Sequence, residues 1–167
     1  HHFGCGRPHP LESGLKPDMN FLSLPPFSRA ACLAVLLLAC SAALAYVDDA
    51  MSFAYEAANP YAEKGWIIRE DAWGGDLGEG DKKAVTAQLF RGNNYMFFLG
   101  TDVEGAKLRV NVYDAGGKLA ESNSWQEGKF AYAEVKPQST GTYYIVVEVL
   151  SSPEERTGWA LVYGFRR

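Results

Sequence analysis

The stretch LRVNVYDAGG, residues 108–117, decides the fold class because it predicts a β-strand followed by a tight turn. Its apolar residues Leu108, Val110 and Val112 alternate with less apolar ones, which is the period of a strand with one buried face. Asp114 and the glycines after it supply turn chemistry, since an aspartate side chain accepts hydrogen bonds from the backbone that follows it. The stretch therefore predicts one strand and the reversal into the next.

The rest of the chain after residue 65 repeats this pattern. Residues 143–150 and 159–165 alternate in the same way, and the first of these segments is apolar on both faces, which predicts a central strand. Five weaker strands are predicted at residues 66–70, 84–90, 94–100, 119–125 and 130–135. Eight short strands separated by turn residues predict an all-β, antiparallel β-sandwich. The intervals are too short for crossover helices, which excludes a parallel α/β sheet.

A helical period precedes the strands. The apolar residues that define its expected buried face are Val47, Met51, Ala54, Tyr55 and Ala58. Asp48 and Asp49 favour a helix start through capping and the helix dipole, and Asn59-Pro60 predicts the helix end. We therefore expect residues 46–65 to form a short helical extension packed on a sandwich domain of residues 66–167. A detached arm is the alternative.

Residues 19–45 have the features of a secretory signal peptide. Arg29 precedes an apolar run, and the small residues Ala43 and Ala45 form a signal-peptidase pattern that predicts cleavage after Ala45. Residues 1–18 are interpreted as an upstream artefact before a start at Met19. The alternative is that Cys40 lies in a lipobox and becomes a lipid anchor on the membrane. The expected location is secreted or periplasmic, with no membrane span.

The composition after residue 45 limits the chemistry. All three cysteines and all three histidines lie before residue 46, so the remaining chain has no thiol nucleophile, no Ser-His-Asp triad and no Cys/His zinc site. Residues 46–167 carry thirteen basic and eighteen acidic residues, a net charge of −5. The basic residues are scattered, which argues against nucleic acid as a partner.

The order of the motifs is similar to that of a known family. Residues 80–85 lead into LFRGNNYMF at 89–97, followed by the stretch at 108–117 and GTYYIVV at 141–147. Over about residues 79–165 they resemble the bacterial pre-peptidase C-terminal domain family. The resemblance implies a non-catalytic, jelly-roll-like β-sandwich, expected here as a stand-alone secreted protein. It also implies that extracellular polymers are candidate ligands and that calcium near the start of the sandwich is a candidate cofactor.

The acidic, glycine-rich segment at residues 70–81 is the candidate metal site. Calcium takes roughly six to eight oxygen ligands on a flexible backbone, and Glu70, Asp71 and Asp76 are the candidate ligands. The segment lacks EF-hand spacing, and the alternative is a solvated, flexible loop with no cofactor. Further acidic residues that neighbouring loops would supply are Asp102, Glu104 and Asp114.

Two tryptophans are the candidate ligand-binding residues. Trp73 and Trp125 lie among polar residues, where an exposed aromatic face would stack on a flat apolar patch of a sugar ring, whereas Trp159 lies on an alternating apolar face and is expected in the core. We therefore expect a non-catalytic binding or accessory module that recognises an extracellular polysaccharide or protein. One alternative is a chaperone-like partner of a secreted peptidase. The other is a small hydrolase that depends on paired carboxylates.

Overall fold

The computed structural model describes residues 49–167, which form one helix and eight β-strands. The helix, α1, covers residues 49–63. The strands are β1 (Ile67–Leu77), β2 (Lys82–Leu89), β3 (Asn94–Gly100), β4 (Lys107–Tyr113), β5 (Glu121–Glu127), β6 (Phe130–Val135), β7 (Gly141–Ser151) and β8 (Thr157–Arg166). A five-stranded sheet has the order β1-β8-β3-β6-β5, and a three-stranded sheet has the order β2-β7-β4. Every pairing is antiparallel, which confirms the predicted all-β sandwich.

The predicted signal peptide lies outside the described residues, as do its cleavage site after Ala45 and the candidate lipid anchor Cys40. Within residues 49–167, no helix is both long and apolar enough to cross a lipid bilayer.

The inner strands β3 and β8 of the five-stranded sheet are buried on both faces. Their side chains alternate between the two faces, so β3 and β8 contribute to two separate cores. The residues of these strands in the core between the sheets are Tyr95, Phe97, Leu99, Trp159, Leu161 and Tyr163. Those that pack under α1 are Met96, Phe98, Ala160 and Val162. The core position predicted for Trp159 is confirmed.

Helix α1 lies close against the sheet because its buried face consists of small residues. The buried residues of this face are Ala50, Ala54, Ala57 and Ala58. A Cβ atom added to Gly100 on β3 would lie 2.5 Å from the backbone nitrogen of Ala54, so the glycine permits this close approach. The predicted buried position of Tyr55 is wrong, since this residue is 38% exposed.

The helix does not end at Asn59-Pro60 as predicted, but continues to residue 63. It ends in a Schellman motif, in which Gly65 has a φ of +89° and donates to the carbonyl of Ala62, while Trp66 donates to that of Tyr61. The rings of Tyr61 and Trp66 meet edge-to-face, with centroids 5.7 Å apart. These hydrogen bonds and this ring contact hold the last turn in place, although Pro60 inside the helix has no backbone N–H to donate.

One side of the sandwich, between β4 and β5, is closed by side chains. Glu121 accepts hydrogen bonds from the backbone nitrogen of Val112 and from Asn111 Nδ2, each at 2.7 Å. Gln126 Oε1 accepts from the backbone nitrogen of Leu108 at 3.1 Å, and Gln126 Nε2 donates to the carbonyl of Ala106. The edge of β4 therefore has partners from a strand of the other sheet.

The outer face of the three-stranded sheet carries no helix among the described residues. Its middle strand is β7, as predicted, but only one of the two apolar faces of β7 is buried. Tyr144 and Leu150 on the outer face are each 41% exposed.

In the turn after β4, Asp114 Oδ1 accepts from the backbone nitrogens of Gly116 and Lys118, which confirms its predicted turn role.

Candidate ligand-binding cleft

The opposite side of the sandwich, between β1 and β2, is open. These two strands are joined by a turn at residues 78–81, where the backbone nitrogen of Gly78 donates to Asp81 at 3.1 Å. Away from the turn, the strands border a cleft of about 490 Å³ between the two sheets. Its walls come from residues 69 and 71–73 on β1 and 86–88 on β2, and from β3, β8 and the loop after β2.

A bulge in β1 directs polar side chains into this cleft. Ile68 pairs with Gly164 and Ala72 with Val162, so β1 has three residues where β8 has only Tyr163. Bulges of this kind redirect side chains and interrupt pairing, and they are frequent next to functional sites. The extra length places Asp71 Oδ2 within 3.3 Å of the Tyr163 hydroxyl and within 3.4 Å of Arg69 Nη2.

The interior of the cleft is mainly aromatic. The ring of Tyr163 forms its floor, stacked on Phe97 at 5.2 Å between centroids and tilted against Trp73 at 5.7 Å. Trp73 is partly exposed and packs its inner side on the core, so it presents a supported apolar surface to the cleft. At the mouth, Phe90 is 52% exposed. A large exposed ring beside a fixed aromatic floor is typical of a binding surface.

The polar groups of the cleft form a short network. The Tyr163 hydroxyl donates to Asp71 Oδ2 at 3.3 Å, and Arg69 Nη2 lies 3.4 Å from the same oxygen. Burial and, to a lesser degree, the Asp71 carboxylate raise the pKa of Tyr163, so its hydroxyl stays protonated at neutral pH. Tyr163 and Asp71 also raise the pKa of Arg69. The paired charges of Arg69 and Asp71 offset each other, which leaves a polar rim with no net charge from this pair.

The loop at the mouth of the cleft is held by Tyr95. The Tyr95 hydroxyl accepts from the backbone nitrogen of Phe90 at 2.9 Å and from Asn93 Nδ2 at 3.2 Å. Arg91 is fixed further out, where its backbone nitrogen donates to Thr140 Oγ1 at 3.0 Å. Phe90 is therefore presented on an anchored loop, which lowers the entropy lost when a ligand packs against its ring.

The two candidate tryptophans do not meet. Trp73 is on β1 and Trp125 is on β5, which are the opposite edge strands of the five-stranded sheet. Trp125 lies on the face that carries α1, where it stacks on Tyr132 with centroids 4.9 Å apart. The two residues cannot therefore form one binding platform, and only Trp73 lines the cleft.

The interpretation of residues 70–81 as a flexible loop is wrong for most of that segment. Residues 70–77 belong to β1, and the turn occupies only the part that follows. The ring of Trp159 covers Gly75 and lies 3.4 Å from where a Cβ atom on that glycine would be. The acidic residues in the strand masked its alternation in the sequence.

The candidate calcium ligands do not form a cluster. Asp71 binds Arg69 and Tyr163 in the cleft, whereas Asp76 binds Arg156 Nε at 2.9 Å near the turn. Glu70, which precedes Asp71 on β1, is exposed. Within residues 49–167, no three Asp, Glu, His or Cys side chains are grouped in a way that could hold a metal ion. Calcium binding by Glu70, Asp71 and Asp76 thus has no support from their placement.

Sequence reasoning missed three residues of the cleft, namely Arg69, Phe90 and Tyr163. Tyr163 gave only the signal of a core position, because it lies on the alternating apolar face of β8. Phe90 was assigned to the end of a strand, although it lies just beyond β2. For Arg69 the sequence held no signal, since a bulge of β1 decides where this side chain goes.

No protein-family model matches the chain, and no curated protein matches it in sequence. Among solved structures, one similar chain is Aeromonas hydrophila PliG, a periplasmic lysozyme inhibitor of g-type lysozyme. It is 18% identical with a TM-score of 0.46, and the match covers 62% of this chain and 90% of PliG. Another is the arabinose-bound α-L-arabinofuranosidase MgGH51, at 11% identity and a TM-score of 0.34, covering 63% of this chain and 24% of that enzyme. Neither likeness is close enough to define a function.

Proposed function

We propose that the protein is an exported, non-catalytic binding protein that holds a neutral polysaccharide in the cleft between β1 and β2. The observation that carries this proposal is the combination of Trp73 and Tyr163 with the Arg69–Asp71 pair in one open cleft. Export rests on the predicted signal peptide, and membership of the pre-peptidase C-terminal family remains a resemblance.

The chemistry of the cleft suits a sugar chain. A pyranose ring has a flat apolar face, which packs on a partly exposed aromatic ring such as Trp73. Its hydroxyls need both donors and acceptors at the rim, and Arg69, Asp71 and Gln88 supply both kinds. Because Arg69 and Asp71 offset each other, the cleft favours a neutral ligand over a charged one. A volume of about 490 Å³ lies within the range of small-ligand sites.

The carboxylates of the cleft support binding rather than hydrolysis. Glycoside hydrolysis generally uses two carboxyl groups on either side of the scissile bond. Among the described residues that line the cleft, Asp71 is the sole carboxylate, and it is already paired with Arg69 and Tyr163. A second carboxyl group would have to come from outside this lining.

The proposal is tested by affinity electrophoresis in gels that contain a soluble neutral polysaccharide, such as xylan, mannan, hydroxyethyl cellulose or starch, with anionic alginate as a comparison. We expect at least one neutral polymer to retard the protein. Replacing the stacking ring by Trp73→Ala should weaken that binding by about tenfold or more, since about 1.4 kcal/mol corresponds to a factor of ten.

The matched control is Trp125→Ala, which removes the same ring from the opposite edge of the sheet and should leave the retardation unchanged. Arg69→Ala changes an exposed rim residue, so it tests the polar contacts without disturbing the core. The proposal fails if no neutral polymer retards the protein, or if the Trp73→Ala variant is retarded as strongly as the original. Recovery of a secreted peptidase with the protein, without polymer binding, would instead favour the accessory role.

A further inference from the structure

A second surface, outside the cleft, lies between α1 and the β5–β6 edge of the five-stranded sheet. We call it the aromatic groove. It has a volume of about 590 Å³ and is lined by ring-bearing residues of the helix and of both strands. These residues are Phe53, Tyr61, Trp125, Phe130 and Tyr132. The groove shares no residue with the cleft between β1 and β2.

The ring stack under the groove is rigid. Trp125 lies flat on Tyr132 with an interplanar angle of 12°, and Tyr132 meets Phe98 edge-to-face at 6.0 Å between centroids. Phe98 is fully buried beneath α1. Trp125 is partly exposed where it lines the groove, so its indole is held in a fixed orientation before any partner arrives.

Three other rings on this side of the molecule carry cations of the chain itself. Lys129 lies 4.5 Å from the centroid of Phe53, Lys64 lies 5.9 Å from that of Tyr61, and Arg166 lies 4.7 Å from that of Trp66. Within residues 49–167, no cation occupies the corresponding position over Trp125, although tryptophan gives the strongest cation–π attraction.

The charges around the groove are mainly negative. Glu56 and Glu127 line it and are exposed, with no ion pair to a described residue, whereas Lys129 is bound to Glu104 at 3.2 Å. Burial and, next, Glu127 raise the pKa of Tyr132 to about 12. Burial, Glu134 and Glu127 likewise raise the pKa of Tyr61. Burial is the larger cause of both shifts, and the neighbouring carboxylates add to it.

We propose that the aromatic groove is a docking site for a lysine- or arginine-bearing segment of a partner protein, whose cationic group lies over Trp125 and beside Glu127. Within residues 49–167, no cation lies over Trp125 and no ion pair involves Glu56 or Glu127, so the groove is complementary in charge to such a group. A neutral apolar peptide, by contrast, would bring no positive charge to the carboxylates of Glu56 and Glu127. This site is independent of the polysaccharide cleft.

The probe is a short lysine homopeptide, titrated into the protein while binding is followed by calorimetry. We expect binding to weaken by about five- to thirtyfold in Trp125→Ala, the range of a cation–π contact that is partly desolvated. Glu127→Gln changes an exposed side chain, so it keeps the fold intact and should weaken binding in the same direction. Trp73→Ala should leave it unchanged.

Two controls separate docking from general attraction to an acidic protein. Glu155→Gln removes the same charge from an exposed position in the β7–β8 connection, and it should have no more than a small effect. A serine–glycine peptide of equal length should not bind. The proposal is overturned if Glu155→Gln and Glu127→Gln act alike, if the neutral peptide binds equally, or if the lysine peptide does not bind at all. Self-association through the groove, seen by sedimentation and lost in Trp125→Ala, would identify a second copy as the occupant and also overturn it.

Discussion

The two sides of the sandwich differ in how the sheets meet. On the β4–β5 side, Glu121 and Gln126 reach across and bind backbone groups of β4, so the sheets are joined by hydrogen bonds. On the β1–β2 side, the strands separate beyond their turn and leave a cleft lined by Trp73 and Tyr163. The same architecture thus has one edge sealed by hydrogen bonds and one open edge, where we propose that a ligand binds.

The difference follows from the kind of side chain that each edge strand carries. Glu121 and Gln126 are long acceptors placed where β4 has free backbone donors, and a buried donor without a partner is costly. β1 instead has a bulge that turns Arg69 and Asp71 toward Tyr163, so its polar groups bind each other rather than the backbone of β2. Arg69 and Asp71 can therefore be replaced without loss of a hydrogen bond between the two sheets.

The largest effect is expected on the closed side, in Glu121→Ala. The change leaves the backbone nitrogen of Val112 and the amide of Asn111 without their acceptor, and we expect the free energy of unfolding to fall by about 2–3 kcal/mol. Chemical denaturation measures this. Glu127→Ala on the same strand is the control and should cost less than about 0.5 kcal/mol, because Glu127 is exposed. Equal losses in both variants would mean that Glu121 does not seal this edge.

A smaller effect on the free energy of unfolding is expected when one glutamine on each side of the sandwich is replaced by alanine. Gln126→Ala removes the acceptor of the Leu108 nitrogen and should lower the free energy of unfolding by about 1–2 kcal/mol. Gln88→Ala at the cleft loses only an exposed bond with Thr142 Oγ1, and it should change stability by less than about 0.5 kcal/mol. If Gln88→Ala were the more damaging change, the two sides would not differ as described.

The smallest effect concerns the tyrosines next to each edge. Asp71→Asn removes one cause of the raised pKa of Tyr163, so that pKa should decrease but stay above its ordinary value of 10.0, because burial is the larger cause. Tyr132 near the other edge should still titrate at about 12. Ultraviolet titration of the phenolates, compared between Asp71→Asn, Tyr163→Phe and Tyr132→Phe, assigns the two values. An unchanged pKa of Tyr163 would show that Asp71 does not act on it.

The raised pKa values of Tyr163 and Tyr132 also determine how the free energy of unfolding changes at alkaline pH. A raised tyrosine pKa means that the folded state holds its proton more tightly than the unfolded chain does. The stabilisation from Tyr132 is therefore complete below pH 10.0, and it is lost as the pH rises toward about 12. Tyr132→Phe should make the decline in stability over this interval less steep, as measured by denaturation at a series of pH values.

Two strands with apolar runs were predictable from the sequence, and the special features of the edge strands were not. β3 and β6 have the predicted bounds because apolar runs between clear turns leave little choice. β1 was cut short at residue 70 because its acidic residues and glycines are typical of loops, although pairing with β8 stabilises it as a strand. The helix passes Pro60 because Tyr61 packs on Phe98 at 4.9 Å between centroids.

The candidate site was only partly predictable for a similar reason. Trp73 was found as an aromatic residue in a polar context, and the same reasoning found Trp125, which lies on the opposite edge of the sheet. Sequence context cannot tell which face and which edge a side chain will occupy. The positions of Arg69 and Asp71 depend on the bulge in β1, which has two more residues than β8 at this point. That difference appears only when β1 is paired with β8.

The central claim is that a polysaccharide binds at the open side of the sandwich, between β1 and β2. Its most direct test is a map of amide chemical shifts by nuclear magnetic resonance. The ligand added is an oligomer of the polysaccharide that affinity electrophoresis selects. We expect the chemical-shift changes to concentrate at residues 69–73 and 86–88 and to include the Trp73 indole. The amide chemical shifts of β4 and β5 should not change. Changes centred on β4 and β5, or on the aromatic groove, would contradict the claim.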